Sequence, residues 1–104
     1  MLGFAMRAGR VLLGTDIVIS SLQKGQARLV IVSDEASEGT KNKIKFKCEF
    51  YSVPMILTTL GADELGQRLG KSYSPVVLAI TDEGFAGEIL KAKKTAENTE
   101  GGIG

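Results

Sequence analysis

The chain has 104 residues, 13 Lys and Arg against 12 Asp and Glu for a net charge of +1, no His, no Trp and one Cys. That length supports one domain able to bury roughly two-thirds of the surface its unfolded form exposes, with no apolar run as long as a membrane span and no secretory pattern at the N-terminus, so a cytoplasmic location without a membrane partner is expected. A lone cysteine excludes a disulfide scaffold and a zinc site of several thiolates, and the lack of histidine removes the commonest general base, triad partner and metal ligand together.

Met1 to Ala8 reads as a short helix, clipped at its start, with Leu2, Phe4, Ala5 and Met6 free to pack and Gly9 as its stop. Val11 to Leu13, a short apolar run between glycines, predicts a strand. Thr15 to Lys24 then predicts a helix in which Val18, Ile19 and Leu22 lie about a turn apart and face the sheet. Thr15 or Asp16 can cap this helix, and Gly25 can end it in the left-handed conformation. The turn at Gly14 therefore stands at a helix N-terminus, where unpaired N–H groups and a partial positive charge suit a polar or anionic ligand. Leu29 to Val32 is an unbroken apolar run, as expected of a strand covered on both faces.

Asp34 to Gly39 reads as a polar loop. Thr40 caps a helix from about Lys41 to Tyr51, with Ile44, Cys48 and Tyr51 on one face and Lys41, Lys43, Lys45 and Glu49 in water; Phe46, Lys47 and Phe50 do not all fit that stripe. Ser52-Val53-Pro54 breaks the helix, because the residue before proline favours extended geometry. Met55 to Thr58 predicts a strand, Leu60-Gly61 a turn, and Ala62 to Leu69 a helix with Leu65 and Leu69 inward. After a loop from Gly70 to Pro75, Val76 to Ile80 is a second fully apolar strand, Thr81-Asp82 a turn, and Glu83 to about Lys93 the last helix. The domain is expected to span 1–93, followed by a disordered polar and glycine-rich tail at 94–104. Strands alternating with helices predict an α/β domain whose sheet of four short strands lies between helical layers.

Few of these residues carry chemistry. Gly66-Gln67-Arg68-Leu69-Gly70-Lys71-Ser72 has the look of a Walker phosphate loop, but three residues rather than four separate its glycines, and a helix precedes it where that motif needs a strand. Cys48, on the apolar side of its helix and without a base, reads as a buried small hydrophobe. The adjacent pairs Asp63-Glu64 and Asp82-Glu83 suit the first turns of helices, and Asp34-Glu35 lies in a turn, so no acid/base pair emerges. No catalytic residue, cofactor or metal is expected. Charge is uneven: residues 1–47 hold eight basic side chains against four acidic ones, and the remainder five against eight. The lysines at 41, 43, 45 and 47 suit either a nucleic-acid backbone or a solvated helix face.

The order Gly9, Gly14, a helix ending Lys24-Gly25 and Ala27-Arg28-Leu29-Val30-Ile31-Val32, continued by Val53-Pro54, Glu64-Leu65-Gly66 and Val76-Val77-Leu78-Ala79-Ile80, resembles the small RNA-binding proteins typified by the archaeal ribosomal protein L-seven-Ae over about residues 1–93. Ala5-Met6-Arg7-Ala8-Gly9, Ser33-Asp34-Glu35-Ala36-Ser37, Thr40-Lys41-Asn42-Lys43-Ile44, Cys48, Tyr51 and Asp82-Glu83-Gly84-Phe85-Ala86 are similar to its bacterial YlxQ branch. The resemblance implies a three-layer α/β/α sandwich with a four-stranded mixed sheet. It also implies a monomeric, non-enzymatic, ribosome-associated RNA-binding protein that recognises kinked or irregular RNA such as the kink-turn, a sharply bent helix with tandem sheared G·A pairs. The implied contacts are Gly14, Thr15, Asp16, Ile17 and Ser20 at the elbow, Lys41 at the next long helix, and Lys71, Ser72 and Tyr73 in a loop that supplies a cation and a stacking ring. Family members that bind kink-turns typically carry Asn, Glu and Lys where this chain has Asp16, Ile17 and Ser20, which implies an altered specificity. The alternative expectation is a protein-interaction module that kept the scaffold, lost the RNA site and uses Ile17 in an apolar contact patch.

Overall fold

The computed structural model describes residues 9–69 and 75–91. The helix expected at 1–8, most of the loop at 70–75 and the tail at 94–104 lie outside the described residues. Strands β1 (Val11–Leu13), β2 (Leu29–Ser33), β3 (Met55–Thr58) and β4 (Val77–Ile80) form one sheet in the order β1-β4-β2-β3. β4 runs antiparallel to both β1 and β2, whereas β2 and β3 are parallel, so the sheet is mixed. Helices α1 (Thr15–Gln23), α2 (Glu38–Tyr51), α3 (Ala62–Leu69) and α4 (residues 83–91) complete the described chain.

The period-two alternation of side chains divides the core into two layers. Leu29 and Ile31 of β2 point with Leu78 and Ile80 of β4 to one face, where Leu65 of α3 and Phe85, Ala86 and Ile89 of α4 cover them. Val30, Val32, Val77 and Ala79 point to the other face, against Val18 and Leu22 of α1 and Ile44 and Cys48 of α2. The central strands β2 and β4 are buried along their whole length, which is why both read as continuous apolar runs. The α/β/α sandwich expected from the sequence is the fold observed.

The start of α2 differs from expectation. Its N-cap is Ser37, not Thr40: the Ser37 Oγ accepts the Thr40 N–H at 3.2 Å, and the helix runs from Glu38. Beginning there adds a turn and sets the Glu38 carboxylate at the positive end of the helix. At the other end Ser52 adopts the left-handed conformation, φ 56°, and closes the helix before Pro54. Ser37→Ala is expected to destabilise the protein by about 1 kcal/mol in urea denaturation and Thr40→Ala by little. A larger loss for Thr40→Ala would move the cap back to the position first read from the sequence.

Candidate nucleic-acid interface

The C-terminal ends of β1, β2 and β3 lie together. Leu13 stands opposite Leu78, Val32 opposite Val77, and Ser33 beside Thr58, so all three strands finish where β4 begins. Each then turns into a helix within a few residues, and the N-termini of α1, α2 and α3 share one rim of the sheet. Backbone bonds fix these turns to each other. The Gly14 N–H donates to Val77 O at 3.0 Å, the Ser33 N–H to Val76 O at 2.7 Å, and the Asp34 N–H to Thr58 O at 2.8 Å.

Gly14 forms the elbow between β1 and α1, with φ 107° and ψ 146°, a backbone geometry adopted almost only by glycine. Its carbonyl accepts the Val18 N–H at 2.9 Å and so begins the helix. Thr15 is already the first helical residue and Asp16 lies in the first turn; among the described residues no side chain caps α1, which corrects the expectation that Thr15 or Asp16 would do so. The amides of Thr15, Asp16 and Ile17 consequently have no acceptor inside the helix. Asp16 and Ile17 are exposed, the latter by 53 %, while Thr15 and Ser20 are partly covered. The elbow is open at the surface.

Lys41 reaches the same rim by way of Asp34. Its Nζ lies 3.3 Å from Asp34 Oδ1 and 3.5 Å from Glu38 Oε1, and its side chain is mostly covered, which corrects the expectation that it stands in water. Surface ion pairs of this kind contribute roughly 0–1 kcal/mol each. Lys71, Ser72 and Tyr73 lie outside the described residues. The structure thus brings the elbow residues and Lys41 to one rim, with Ser20 a turn further along α1.

Three rim residues escaped the sequence reading. Glu35 accepts the Ala62 N–H at 2.9 Å and caps α3 from 27 positions away. Gly61 makes room for it, since a Cβ there would stand 2.5 Å from Glu35 Oε2. Ser33, wholly buried, donates from Oγ to Leu60 O at 2.9 Å and accepts the Glu35 N–H at 3.1 Å, which ties β2 to the turn after β3. Contacts across 27 positions leave no local signal; only the spacing of Glu38 three residues before Lys41 was there to be read. Cys48 is buried in the α1/α2 layer, and burial pushes its thiol up to about 11, so it stays protonated at neutral pH and offers no nucleophile.

A mixed four-stranded sheet between two helical layers, with a glycine elbow on a rim shared by three helix starts, defines a compact α/β scaffold that presents backbone amides at that rim. The sequence profile of the ribosomal protein L7Ae/L30e/S12e/Gadd45 family matches residues 1–90. The chain belongs to this family, on its bacterial YlxQ branch. It is 39 % identical over 90 residues to RNA-binding protein YlxQ of Bacillus subtilis, covering 86 % of this chain and 88 % of that one. Over 101 residues it is 38 % identical to RNA-binding protein YlxQ of Enterococcus faecium, covering 97 % and 89 %. Large ribosomal subunit protein eL30 of Sulfolobus acidocaldarius is 33 % identical over 79 residues, 76 % of each chain. Among solved structures, a Bacillus halodurans protein of unknown function superposes with a TM-score of 0.81 at 36 % identity, covering 86 % of this chain and 89 % of that one. The 15.5kD RNA binding protein of Giardia lamblia shares the fold, with a TM-score of 0.74 at 18 % identity over 88 % of this chain and 76 % of that one.

Proposed function

We propose that this protein is a non-enzymatic, ribosome-associated RNA-binding protein, acting in the cytoplasm as a monomer, that docks a kinked or irregular RNA onto the rim carrying the Gly14 elbow. The open, uncapped start of α1 carries the reading: its amides and positive helix end face outward where a bent phosphate backbone can approach. Thr15, Asp16, Ile17 and Ser20 line the approach, Lys41 supplies a cation, and Lys71, Ser72 and Tyr73 supply a second cation and a stacking ring. The names of the YlxQ and eL30 relatives support RNA and the ribosome as partners.

Kink recognition is tested by gel shift against a kink-turn hairpin and a control hairpin in which the sheared G·A pairs are replaced by Watson–Crick pairs. The hairpin is expected to bind about tenfold or more tightly than its control, since each lost base contact costs roughly 1–3 kcal/mol. Equal affinity rejects kink-specific docking. The exposure of Ile17 favours a second reading, a protein-docking patch on the same elbow. In that case neither hairpin binds at moderate salt, and Ile17→Ser abolishes capture of a protein partner.

A further inference from the structure

We infer that the outer flank of α2 is a second RNA-binding surface, separate from the elbow, on which Phe46 and Phe50 stack unpaired bases while Lys43 and Lys47 pair with the phosphates of a single strand. The observation behind it is two phenylalanines one turn apart, exposed by 66 % and 78 %, on a helix whose opposite face holds the fully buried Ile44 and Cys48. Scattered exposed apolar residues are ordinary on protein surfaces, but two aromatic rings at i and i+4 form one patch. At 3.6 residues per turn Lys43, Phe46, Lys47 and Phe50 fall within about 100° of arc, and this stripe holds no carboxylate. Tyr51 meets Phe50 at 4.8 Å between ring centres with the planes 80° apart, an edge contact that steadies the outer ring.

Charge and area decide what this flank takes. A second copy seated stripe to stripe would set lysines against lysines. It would also bury too little, because two aromatic side chains offer roughly 300–500 Å², below the roughly 800 Å² per partner of a stable interface. A single-stranded polyanion meets both requirements on a small footprint: bases have faces to stack on aromatic rings, and the flanking lysines meet the phosphates. The four-residue rise of about 6 Å along the helix is close to two stacking steps of about 3.4 Å each, the room one base needs between two rings.

The test is fluorescence anisotropy with a labelled uridine dodecamer, run beside a blunt kink-turn hairpin that has no single-stranded tail. The protein is expected to bind the dodecamer, F46A/F50A to weaken it by about tenfold or more, F46L/F50L to weaken it as much, and F46Y/F50Y to retain it. All three variants change surface side chains, and circular dichroism verifies their folding. Hairpin binding is expected to be equal in all three variants and the unmodified protein, so the elbow reading fails or stands on its own result. The inference is overturned if the unmodified protein ignores the dodecamer, if F46A/F50A binds it unchanged, or if F46L/F50L binds it fully. It is also overturned if sedimentation shows a dimer that F46A/F50A dissolves, which would make the occupant a second copy.

Discussion

Changing Asp16 to Asn and Ser20 to Lys is expected to tighten binding of a kink-turn hairpin by about 3 kcal/mol, on the order of a hundredfold. Asp16 lies exposed in the first turn of α1, and Ser20, partly covered, follows a turn later. Asp16 offers only acceptors and a negative charge where an RNA edge or phosphate would approach, and asparagine restores a donor while removing the repulsion. Ser20 stands about one helical turn further on, where a lysine can reach a phosphate. The gain should carry two signatures. Lysine adds one phosphate contact and steepens the salt dependence by about 0.7–0.9 in log–log slope, whereas the Asp16 change improves discrimination against the hairpin lacking G·A pairs. Gln26→Lys with Glu83→Gln shifts the net charge by the same amount from exposed positions near Arg28, at the far end of the sheet. That control is expected to tighten binding several-fold at most. If it matches the elbow pair, attraction to the molecule as a whole governs binding, and the elbow has no special place in it.

The fold was legible because its signals are local. Leu29–Val32 and Val76–Ile80 are apolar runs between turn residues, and they supply the two central strands, Leu29–Ser33 and Val77–Ile80. Val18 and Leu22 lie at helical spacing and do face the sheet, and Gly25, at φ 71°, ends α1 as expected. The elbow was legible for the same reason, since a glycine between an apolar run and an amphipathic one marks a strand-to-helix turn. What the sequence did not disclose depends on residues brought together by the sheet. Glu35 meets the start of α3 only because β2 and β3 are parallel and end side by side. Lys41 looked like a free cation because its two carboxylates count as partners only once Ser37 starts the helix. Thr15 and Asp16 both have capping chemistry, and what overrides it is the hydrogen bond from Gly14 to Val77, which starts the helix one residue earlier with a glycine that has no side chain to cap with.

That dependence on one residue gives the second large effect. Gly14→Ala is expected to destabilise the protein by about 2 kcal/mol, seen as a fall of roughly 10 °C in Tm, and to weaken hairpin binding about tenfold or more at temperatures where the protein stays folded. The cause is torsional and not steric. Among the described residues a Cβ at this position would meet nothing closer than Ile17 Cδ1 at 4.0 Å, but φ 107° with ψ 146° lies in a region that residues with a Cβ avoid. Relief of that strain requires the elbow to rotate, and rotation breaks the Gly14–Val77 hydrogen bond and swings the free amides of α1 away from the rim. Gly25→Ala separates this local effect from simple instability. Gly25 also has positive φ, but in the left-handed helical region, where a side chain costs about 1–2 kcal/mol, and among the described residues nothing lies within 4 Å of where its Cβ would stand. Its substitution is expected to lower Tm and leave RNA affinity unchanged. Were the two alanine variants to lose affinity in proportion to their stabilities, the elbow would matter to the fold alone, and the docking site would have to lie elsewhere on the molecule.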